Sequence, residues 1–316
     1  MNAEQVCIGV DVSKDELVIA YQTGAPVQCL VNRSAAIKRW LTTLPAGCRI
    51  GMEATSIYHR SLAERAYAAG HQVYVLNPRH VAQYLKSLRQ RGKTDGLDAQ
   101  GIARFVANET DQCHLFVPPT AGQQRISSLL QRRRLAVQQR AALEQSVRNE
   151  PWLKRAIKPL VAEYRKLLAV IDAELETVIG RTPKLAEQCA QLRTIAGIGP
   201  LVSIALSQVP YRTSDALVAA LGLDPRPRES GTYQGQRKIS KQGPPEERRL
   251  MYLAAQGSAR AGLWKEERAQ WLAKGLSKTA VNCIIARKLL RIAFAVWRSG
   301  EPFDPSKIGK KVCAGT

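Results

Sequence analysis

The sequence predicts a mixed α/β domain over residues 1–118, a helical segment over 119–182 and a mainly α-helical domain over 183–316. Two observations support this division. Short apolar runs separated by turn residues dominate the first part, which is typical of strands. From about residue 121 onward, apolar residues recur at spacings of three and four, which is typical of amphipathic helices. The chain has 316 residues, enough for two domains of ordinary size.

The first domain is predicted to begin with three strands, at 6–10, 16–21 and 26–31. Two later strands, at 48–52 and 72–76, alternate with helices, so the order of elements is βββαβαβα. A Rossmann-type domain would instead begin with a βαβ unit. The order therefore favours a ribonuclease-H-like fold. The predicted helices cover 34–44, 57–69, 79–88 and 95–107.

The segment 119–182 is predicted to be helical and basic, with a coiled-coil-like seam in its second half. Seven apolar residues of this seam follow one another at spacings of four and three. Such a seam packs either inside the chain, as a helical hairpin, or between two chains, and the sequence favours neither. The seam residues are Ile157, Val161, Tyr164, Leu168, Ile171, Leu175 and Val178.

The domain at 183–316 contains a helix-hairpin-helix pattern from Leu192 to Gln208. Gly197 and Gly199 lie in its turn, where backbone amides can approach a DNA phosphate at the start of the second helix. A tight turn between two packed helices is the alternative. A polar loop, predicted over 224–245, interrupts the helices of this domain.

Four acidic residues lie where the predicted elements of the first domain end or begin. Asp11 follows the first strand and Glu53 the fourth, while Asp95 and Asp98 share one face at the start of a helix. Converging carboxylates bind hard divalent cations, and two-metal carboxylate sites cut or join phosphodiesters. The alternative role of the helical pair is capping. Lys93, beside that pair, is a candidate phosphate contact.

Positive charge is concentrated in the later part of the chain. The net charge is +21, with 13 basic against 10 acidic residues in 1–120, but 34 against 16 in 121–316. A surplus of this kind indicates a nucleic-acid partner. Candidate phosphate contacts in the helical segment are Arg132, Arg133 and Arg134.

The sequence also predicts a cytoplasmic protein without a membrane partner. No apolar run approaches the roughly 20 residues that span a bilayer, and the first residues lack a signal-peptide pattern. The seven cysteines include no C-x-x-C pair, which argues against a zinc ribbon or a thioredoxin motif. The cysteines are therefore expected to be reduced.

The polar loop contains a second candidate site, centred on Ser230. The glycine after it allows a turn that projects the hydroxyl. A serine among cations can be the nucleophile of a phosphoryl transfer. Alternatively the loop only clamps a phosphate, and Ser240 is a rival nucleophile; the residues alone leave these alternatives open. The surrounding cations are Arg226, Arg228, Arg237, Lys238 and Lys241.

Taken together and in order, these motifs resemble those of the DEDD-type transposases of bacterial insertion sequences, a family that includes the bridge-RNA-guided serine recombinases. The resemblance spans nearly the whole chain. Ser56 and Pro244-Pro245 depart from the family pattern, but neither touches a candidate site residue. The matching motifs are Gly9-Val10-Asp11-Val12-Ser13-Lys14, Glu53-Ala54-Thr55-x-x-Tyr58, Asn77-Pro78, Lys93-Thr94-Asp95-x-x-Asp98-Ala99, Gly197-Ile198-Gly199, Gly222-Leu223-x-Pro225, Glu229-Ser230-Gly231 and Ile239-Ser240-Lys241-x-Gly243.

The resemblance implies a RuvC-like first domain, a coiled-coil segment and a C-terminal transposase domain. It implies that the four carboxylates bind Mg²⁺, with two ions per site, and that Ser230 rather than Ser240 is the nucleophile. It also implies a covalent phosphoserine intermediate and strand exchange between donor and target double-stranded DNA through a four-way junction. The implied partners are a structured non-coding guide RNA and further copies of the chain, as dimers pairing into a tetramer. The residues alone also allow a junction-resolving nuclease that uses metal-activated water, or a nucleic-acid-binding protein without catalytic activity.

Overall fold

The computed structural model of the protein describes residues 5–54, 57–87, 94–110, 113–207, 213–226, 229–230, 233–235 and 237–307, with the backbone alone at 229–230 and 233–234. The chain divides into two compact units, Met1–Pro119 and Thr120–Thr316. The boundary predicted near residue 182 lies inside the second unit, and the division into three domains stays a prediction.

The first unit is a five-stranded sheet with helices packed on both faces, so its predicted mixed α/β character is confirmed. The sheet order is β3-β2-β1-β4-β5, with antiparallel pairing among β1, β2 and β3 and parallel pairing of β4 with β1 and β5. The strands are β1 (Cys7–Val12), β2 (Glu16–Tyr21), β3 (Gln28–Val31), β4 (Arg49–Glu53) and β5 (Gln72–Leu76). The described helices are α1 (Ser34–Leu41), α2 (Arg60–Ala68), α3 (Pro78–Ser87) and α4 (Asp95–Asn108).

The alternation of side chains along β1 assigns one layer to each face of the sheet. Ile8 and Val10 are fully buried in the core that the sheet forms with α1 and α2. The intervening Gly9 faces α4, where a Cβ would overlap the carbonyl oxygen of Ala99 and the amide nitrogen of Ala103. The backbone of α4 therefore lies directly on β1, at a distance that only glycine permits.

Helix α4 crosses the sheet. Ala99, near its start, packs against Val18 of β2, whereas Val106, two turns later, packs against Tyr74 of β5. The first turn lies farther out still, because a Cβ at Gly96 would be 3.7 Å from the methyl carbons of Val27, just before β3. This path fixes where the acidic residues of the first turn stand relative to the strands.

The second unit is mostly helical, as predicted. Its described helices are α5 (Ala121–Ser146), α6 (Pro151–Ala156), α7 (Lys158–Gly180), α8 (Pro183–Arg193), α9 (Pro200–Ser207), α10 (Ser214–Ala220), α11 (Pro245–Arg260), α12 (Lys265–Ala273) and α13 (Lys278–Ser299), followed by a 3₁₀ turn at Pro305–Lys307. No helix in the described ranges combines the length and the apolar character that crossing a bilayer requires.

The loop predicted over 224–245 contains four strands of two residues each, which the sequence did not reveal. They are β6 (Pro225–Arg226), β7 (Glu229–Ser230), β8 (Tyr233–Gln234) and β9 (Lys238–Ile239). Pairs this short show no alternation of apolar and polar residues, and alternation is the signal by which strands are recognised.

The seam of the helical segment packs inside the chain. Leu175 and Ile171 of α7 share a core with Ile126 and Leu129 of α5. Two ion pairs flank this contact, Arg125 to Glu174 at 3.1 Å and Arg133 to Asp172 at 2.5 Å. Of the two packing modes that the sequence left open, the structure shows the helical hairpin.

Candidate active site and nucleic-acid interface

Asp11 and Glu53 are neighbours on adjacent parallel strands. Val10 pairs with Met52, so the next residue of each strand, Asp11 in β1 and Glu53 in β4, stands at the following step of the register. Both carboxylates lie two residues beyond a glycine that faces α4 and therefore point to the same face as that glycine. Strand β1 continues through Asp11 to Val12 because its pairing with β2 does.

The start of α4 is capped by Thr94 and not by an aspartate. The hydroxyl oxygen of Thr94 accepts a hydrogen bond from the amide of Leu97 at 3.3 Å. Asp95 and Asp98 are the first and fourth residues of the helix, so capping, the alternative role considered for them, is already filled by another side chain. Both acids instead place negative charge at the positive end of the helix dipole.

The four acidic residues stand on elements that follow one another across a single face of the sheet. Asp95 lies near β3, because the next residue, Gly96, stands beside Val27, just before that strand. Desolvation, and then the negative charges of Glu16 and Asp95, raise the pKa of the Cys29 thiol on β3. Asp98 precedes the residue of α4 that packs on β2, and Asp11 and Glu53 stand on β1 and β4. Among the described residues, no three Asp, Glu, His or Cys side chains stand together so as to hold a metal ion.

Ser230 lies in the inner of two hairpins. The outer hairpin pairs Arg226 with Lys238, and the inner one pairs Ser230 with Tyr233, three residues farther along the chain. Ser230 is thus the last residue of its strand. The turn predicted directly after it falls on residues 231–232, outside the described residues. Its side chain is outside the described part of the chain.

Ser240, the rival serine, is held at the base of the outer hairpin. Its hydroxyl donates a hydrogen bond to Oδ1 of Asp224 and accepts one from the amide of Gln242 at 3.3 Å. Its own amide donates to the carbonyl oxygen of Asp224 at 2.9 Å. Three hydrogen bonds therefore connect Ser240 to the residues around it and close the loop.

The cations of the loop are exposed where the structure describes them. Arg226, Arg237, Lys238 and Lys241 have exposed side chains. Lys241 has a φ of +54°, in the left-handed region that side chains other than glycine rarely adopt, and its amide donates to the carbonyl oxygen of Gly222 at 3.0 Å. Arg228 of the loop and Lys93 of the first unit lie outside the described residues.

The three consecutive arginines of α5 have different surroundings. Arg133 donates two hydrogen bonds to the carboxylate of Asp172 on α7, at 2.5 and 3.1 Å, and its side chain is only 19% exposed. Arg132 is exposed and donates to the hydroxyl and carbonyl oxygens of Ser128 on its own helix. Arg134 is half-buried. A role in joining the two helices is therefore an alternative to phosphate binding for Arg133.

The two glycines of the predicted hairpin motif also differ. Gly197 has a φ of +95°, and a Cβ there would overlap the carbonyl oxygen of Ala254 and lie 2.6 Å from the amide nitrogen of Ser258, both in α11. A Cβ at Gly199 would have no atom within 4 Å. Close packing on α11 explains the glycine at 197, whereas Gly199, before the first residue of α9, stays a candidate phosphate contact.

Sequence reasoning missed two residues that shape these sites. Gly9 stood out only as part of a motif, although its missing side chain sets the position of α4 over β1. Asp224 did not stand out as a site residue, although its carboxylate holds Ser240. A signal for Asp224 was present, since it is an isolated acid beside a loop of five cations.

Two sequence models of protein families match the chain. The model of a DEDD-type transposase domain, described as "Transposase", matches residues 8–155, which include all four carboxylates. The model described as "Transposase IS116/IS110/IS902 family" matches residues 189–270, which include both serines.

Curated relatives match over nearly their whole length. The pilin gene-inverting protein of Moraxella bovis is 27% identical over 316 residues, covering 94% of this chain and 97% of the relative. Its namesake from Moraxella lacunata is 28% identical over 264 residues, covering 80% and 81%. The transposase for insertion sequence element IS1328 from Yersinia enterocolitica is 27% identical over 336 residues, covering 94% and 98%.

Proposed function

Because the chain belongs to the IS116/IS110/IS902 family of transposases, which makes it a DNA-recombining enzyme, we propose that it is an RNA-guided, Mg²⁺-dependent recombinase of an insertion sequence. In this proposal it cuts and rejoins DNA through a covalent phosphoserine on Ser230 and a four-way junction. One chain contains both a carboxylate row in the first unit, formed by Asp11, Glu53, Asp95 and Asp98, and the serine hairpins of the second unit, which are the two hairpins around Ser230. This joint presence is the observation that carries the proposal.

The names of the relatives favour strand exchange over cutting alone. One group of relatives is named for inverting a pilin gene and another for transposing an insertion sequence. Inversion reconnects every strand that it cuts, whereas a junction-resolving nuclease leaves a free end for another enzyme to seal. A protein that conserves the energy of the cut bond in a covalent intermediate can complete inversion or transposition by itself.

The sheet of the first unit supports a ribonuclease-H-like domain. Three antiparallel strands lead into a parallel pair, in the order β3-β2-β1-β4-β5, and the acidic residues stand on the central strands β1 and β4. A helix carrying two further acids covers the same face. This is the arrangement expected for a fold that presents carboxylates to a phosphodiester from one side.

The donor set fits Mg²⁺ in its chemistry. All four candidates supply carboxylate oxygens, the ligands that this ion takes from proteins. The backbones of Asp11 and Glu53 are one interstrand spacing apart, roughly 4.8 Å. Clustered carboxylates repel one another, and a bound cation would offset that repulsion. Asp11 and Glu53 would hold it from the sheet, and Asp98 and Asp95 from the start of α4. Bound Mg²⁺ would supply positive charge to the reacting phosphate.

The nucleophile is assigned to Ser230 partly because Ser240 already has a structural role. In the proposed step the Ser230 hydroxyl gives its proton to a solvent water, and its oxygen forms a bond to the scissile phosphorus. The bond from phosphorus to the DNA leaving oxygen breaks, and that oxygen takes up a proton from water to become a free DNA hydroxyl. The exposed cations of the loop, Arg226 and Lys238 among them, stabilise the charge that develops on the phosphoryl oxygens. The free DNA hydroxyl then reverses the step on a new strand, so no ATP is required.

The partners follow from charge and from the family. Residues 121–316 contain 34 basic and 16 acidic residues. This excess of positive charge can neutralise phosphates of two nucleic acids, the DNA substrates and the guide RNA of the element. Assembly as dimers that pair into a tetramer would bring two DNA sites together. These partners belong to the proposal.

Covalent attachment of DNA to the protein tests the proposal. A labelled four-way junction is incubated with the protein, the element's RNA and Mg²⁺, and the mixture is denatured in detergent. DNA that migrates with the protein supports the recombinase. Free cut DNA would instead indicate a nuclease with metal-activated water, and uncut DNA would indicate a binding protein.

A further inference from the structure

A cleft of about 380 Å³ in the second unit carries positive charge from three helices. Its walls come from the C-terminal half of α11, from α12 and from the first turns of α13, and the residues lining it are Tyr252, Gln256, Arg260, Arg268, Lys278 and Asn282. We propose that this cleft seats a phosphodiester group of a nucleic-acid backbone.

The spacing of the lining residues shows that α11 and α13 each present one face to the cleft. Tyr252, Gln256 and Arg260 are four residues apart and form a single stripe on α11. Lys278 and Asn282 form a matching pair on α13, again four residues apart. The cleft is therefore built from aligned side chains of two helices and is not a gap between loops.

Within the part of the chain that the structure describes, the three cations of the cleft have no acidic partner. Among the described residues, no carboxylate lies within ion-pair distance of Arg260, Arg268 or Lys278, whereas eight other basic residues form such pairs. The acids nearest in sequence to these cations are on α12. Glu267 already pairs with Lys288 at 3.7 Å. Glu266 is two residues before Arg268, about 200° around the helix, and so is on another face. Three unneutralised cations around one cavity attract an anion.

The polar groups between the cations suit a phosphate and its sugar. Nδ2 of Asn282, a residue only 5% exposed, donates to the hydroxyl oxygen of Tyr252 at 3.1 Å, so both side chains are held in place. Lys278 begins α13, whose positive dipole end adds to the field. A guanidinium binds two phosphoryl oxygens at once, and Gln256 can bond to a sugar oxygen.

The inference rests on the proposed function only for the identity of the anion, a nucleic acid. It is tested by binding and not by cleavage, so loss of the covalent adduct in a Ser230 variant would leave it standing. The comparison uses two variants of the full chain that each lose two positive charges. Arg268→Gln with Lys278→Gln changes the cleft. Lys265→Gln with Lys274→Gln changes two exposed lysines outside it, at the first residue of α12 and just after its last.

Affinity is measured over a series of salt concentrations with two probes, a 20-base-pair DNA duplex and an RNA hairpin of equal length. We expect the cleft variant to bind at least one probe roughly tenfold more weakly than the control variant. Its log–log salt slope should fall by about 0.7–0.9, the value for one neutralised phosphate. The probe affected shows whether the phosphate belongs to DNA or to RNA. Equal affinities and slopes of the two variants for both probes would overturn the proposal.

A footprint on the unmodified protein covers the case in which the cleft variant does not fold. An arginine-selective dicarbonyl reagent is applied with and without each probe, and modification is read by peptide mass spectrometry. Arg260 and Arg268 should be protected several-fold, whereas Arg298, about 30 Å along α13 from Lys278, is the control. Reaction of Arg260 and Arg268 at unchanged rates with both probes would contradict the cleft assignment.

Discussion

Asp11 is the residue at which the metal assignment is tested with least disturbance, because it stands at the surface end of β1 beside Glu53. Asp11→Asn removes one anionic ligand without removing any cation that contacts nucleic acid. We expect cleavage to fall by at least about 100-fold, a loss typical of removing one stabilising group from a reacting centre. DNA affinity should change little, since it rests on basic side chains.

The matched control is Asp15→Asn, the same chemical change at an exposed acid between β1 and β2. Cleavage should survive it. Near-normal cleavage by the Asp11 variant in Mg²⁺ would mean that the carboxylate row is not the metal site.

Gly9 allows α4 to lie directly on β1, and a methyl group there would meet the backbone of α4 at two positions. Gly9→Ala should lower the free energy of unfolding by about 1–3 kcal/mol, as overpacking does. Gly96→Ala, in the same helix, meets only methyl carbons at 3.7 Å and should leave stability unchanged or raise it by up to about 1 kcal/mol. Denaturant unfolding of the full chain measures both values.

If Gly9→Ala were as stable as the parent chain, α4 would not rest on β1 as described. The position of Asp95 and Asp98 relative to the sheet would then have to be revised as well.

Single residues also show what the sequence could and could not reveal. The positions of Asp11 and Glu53 at neighbouring strand ends followed from two apolar runs, each ending in an acid. The cap at Thr94 was missed, because an aspartate at the next position satisfies the same capping rule. The packing role of Gly197 was one of two alternatives, and only the three-dimensional contact with α11 separates them.

At the scale of elements, the arginines of α5 are expected to have two different roles, binding phosphate or joining α5 to α7. Arg132→Gln with Arg134→Gln should weaken DNA binding and reduce the log–log salt slope by roughly 0.7–0.9 for each phosphate that is no longer neutralised. Arg133→Gln should instead lower stability by up to about 1 kcal/mol, because it breaks a partly exposed ion pair with Asp172. Titrations of DNA at several salt concentrations, paired with unfolding curves, distinguish the two effects.

If the double variant kept the salt slope of the parent chain, Arg132 and Arg134 would be solvated residues that do not contact phosphate. A slope reduced by Arg133→Gln as well would show that this arginine binds phosphate despite its ion pair.

The elements themselves were predicted to different degrees. The strands of the sheet and the long helices followed from apolar periodicity, which a long element repeats many times. The seam of α7 was recognised, but its partner was not, because heptad spacing does not depend on whether the facing helix belongs to the same chain. The hairpins around Ser230 are too short to have any periodicity.

Over the whole molecule, the two compact units differ in net charge, and they also differ in the role that we propose for each. Residues 1–120 carry a net charge of +3 and the carboxylate row, whereas residues 121–316 carry +18 and both serines. This division suits an enzyme in which one part supplies the metal ligands and the other supplies the nucleophile and most of the nucleic-acid contacts. The sequence predicted this distribution directly, since charge counts do not depend on the fold.

The central claim is that Ser230 becomes covalently bound to DNA, and the sequence allows a direct measurement. Trypsin cuts after Arg228, Arg237, Lys238 and Lys241, so Ser230 and Ser240 fall in different peptides, 229–237 and 239–241. The protein–DNA species formed with Mg²⁺ is isolated in detergent and digested with nuclease and trypsin, and the peptide that retains phosphate is identified by fragmentation.

We expect the phosphate on Ser230 in the peptide 229–237, its loss in Ser230→Ala and its retention in Ser240→Ala. The Ser230 substitution should cost under about 1 kcal/mol of stability, as changes in polar loops usually do. Phosphate on Ser240, or an adduct that survives both substitutions, would contradict the assignment of the nucleophile.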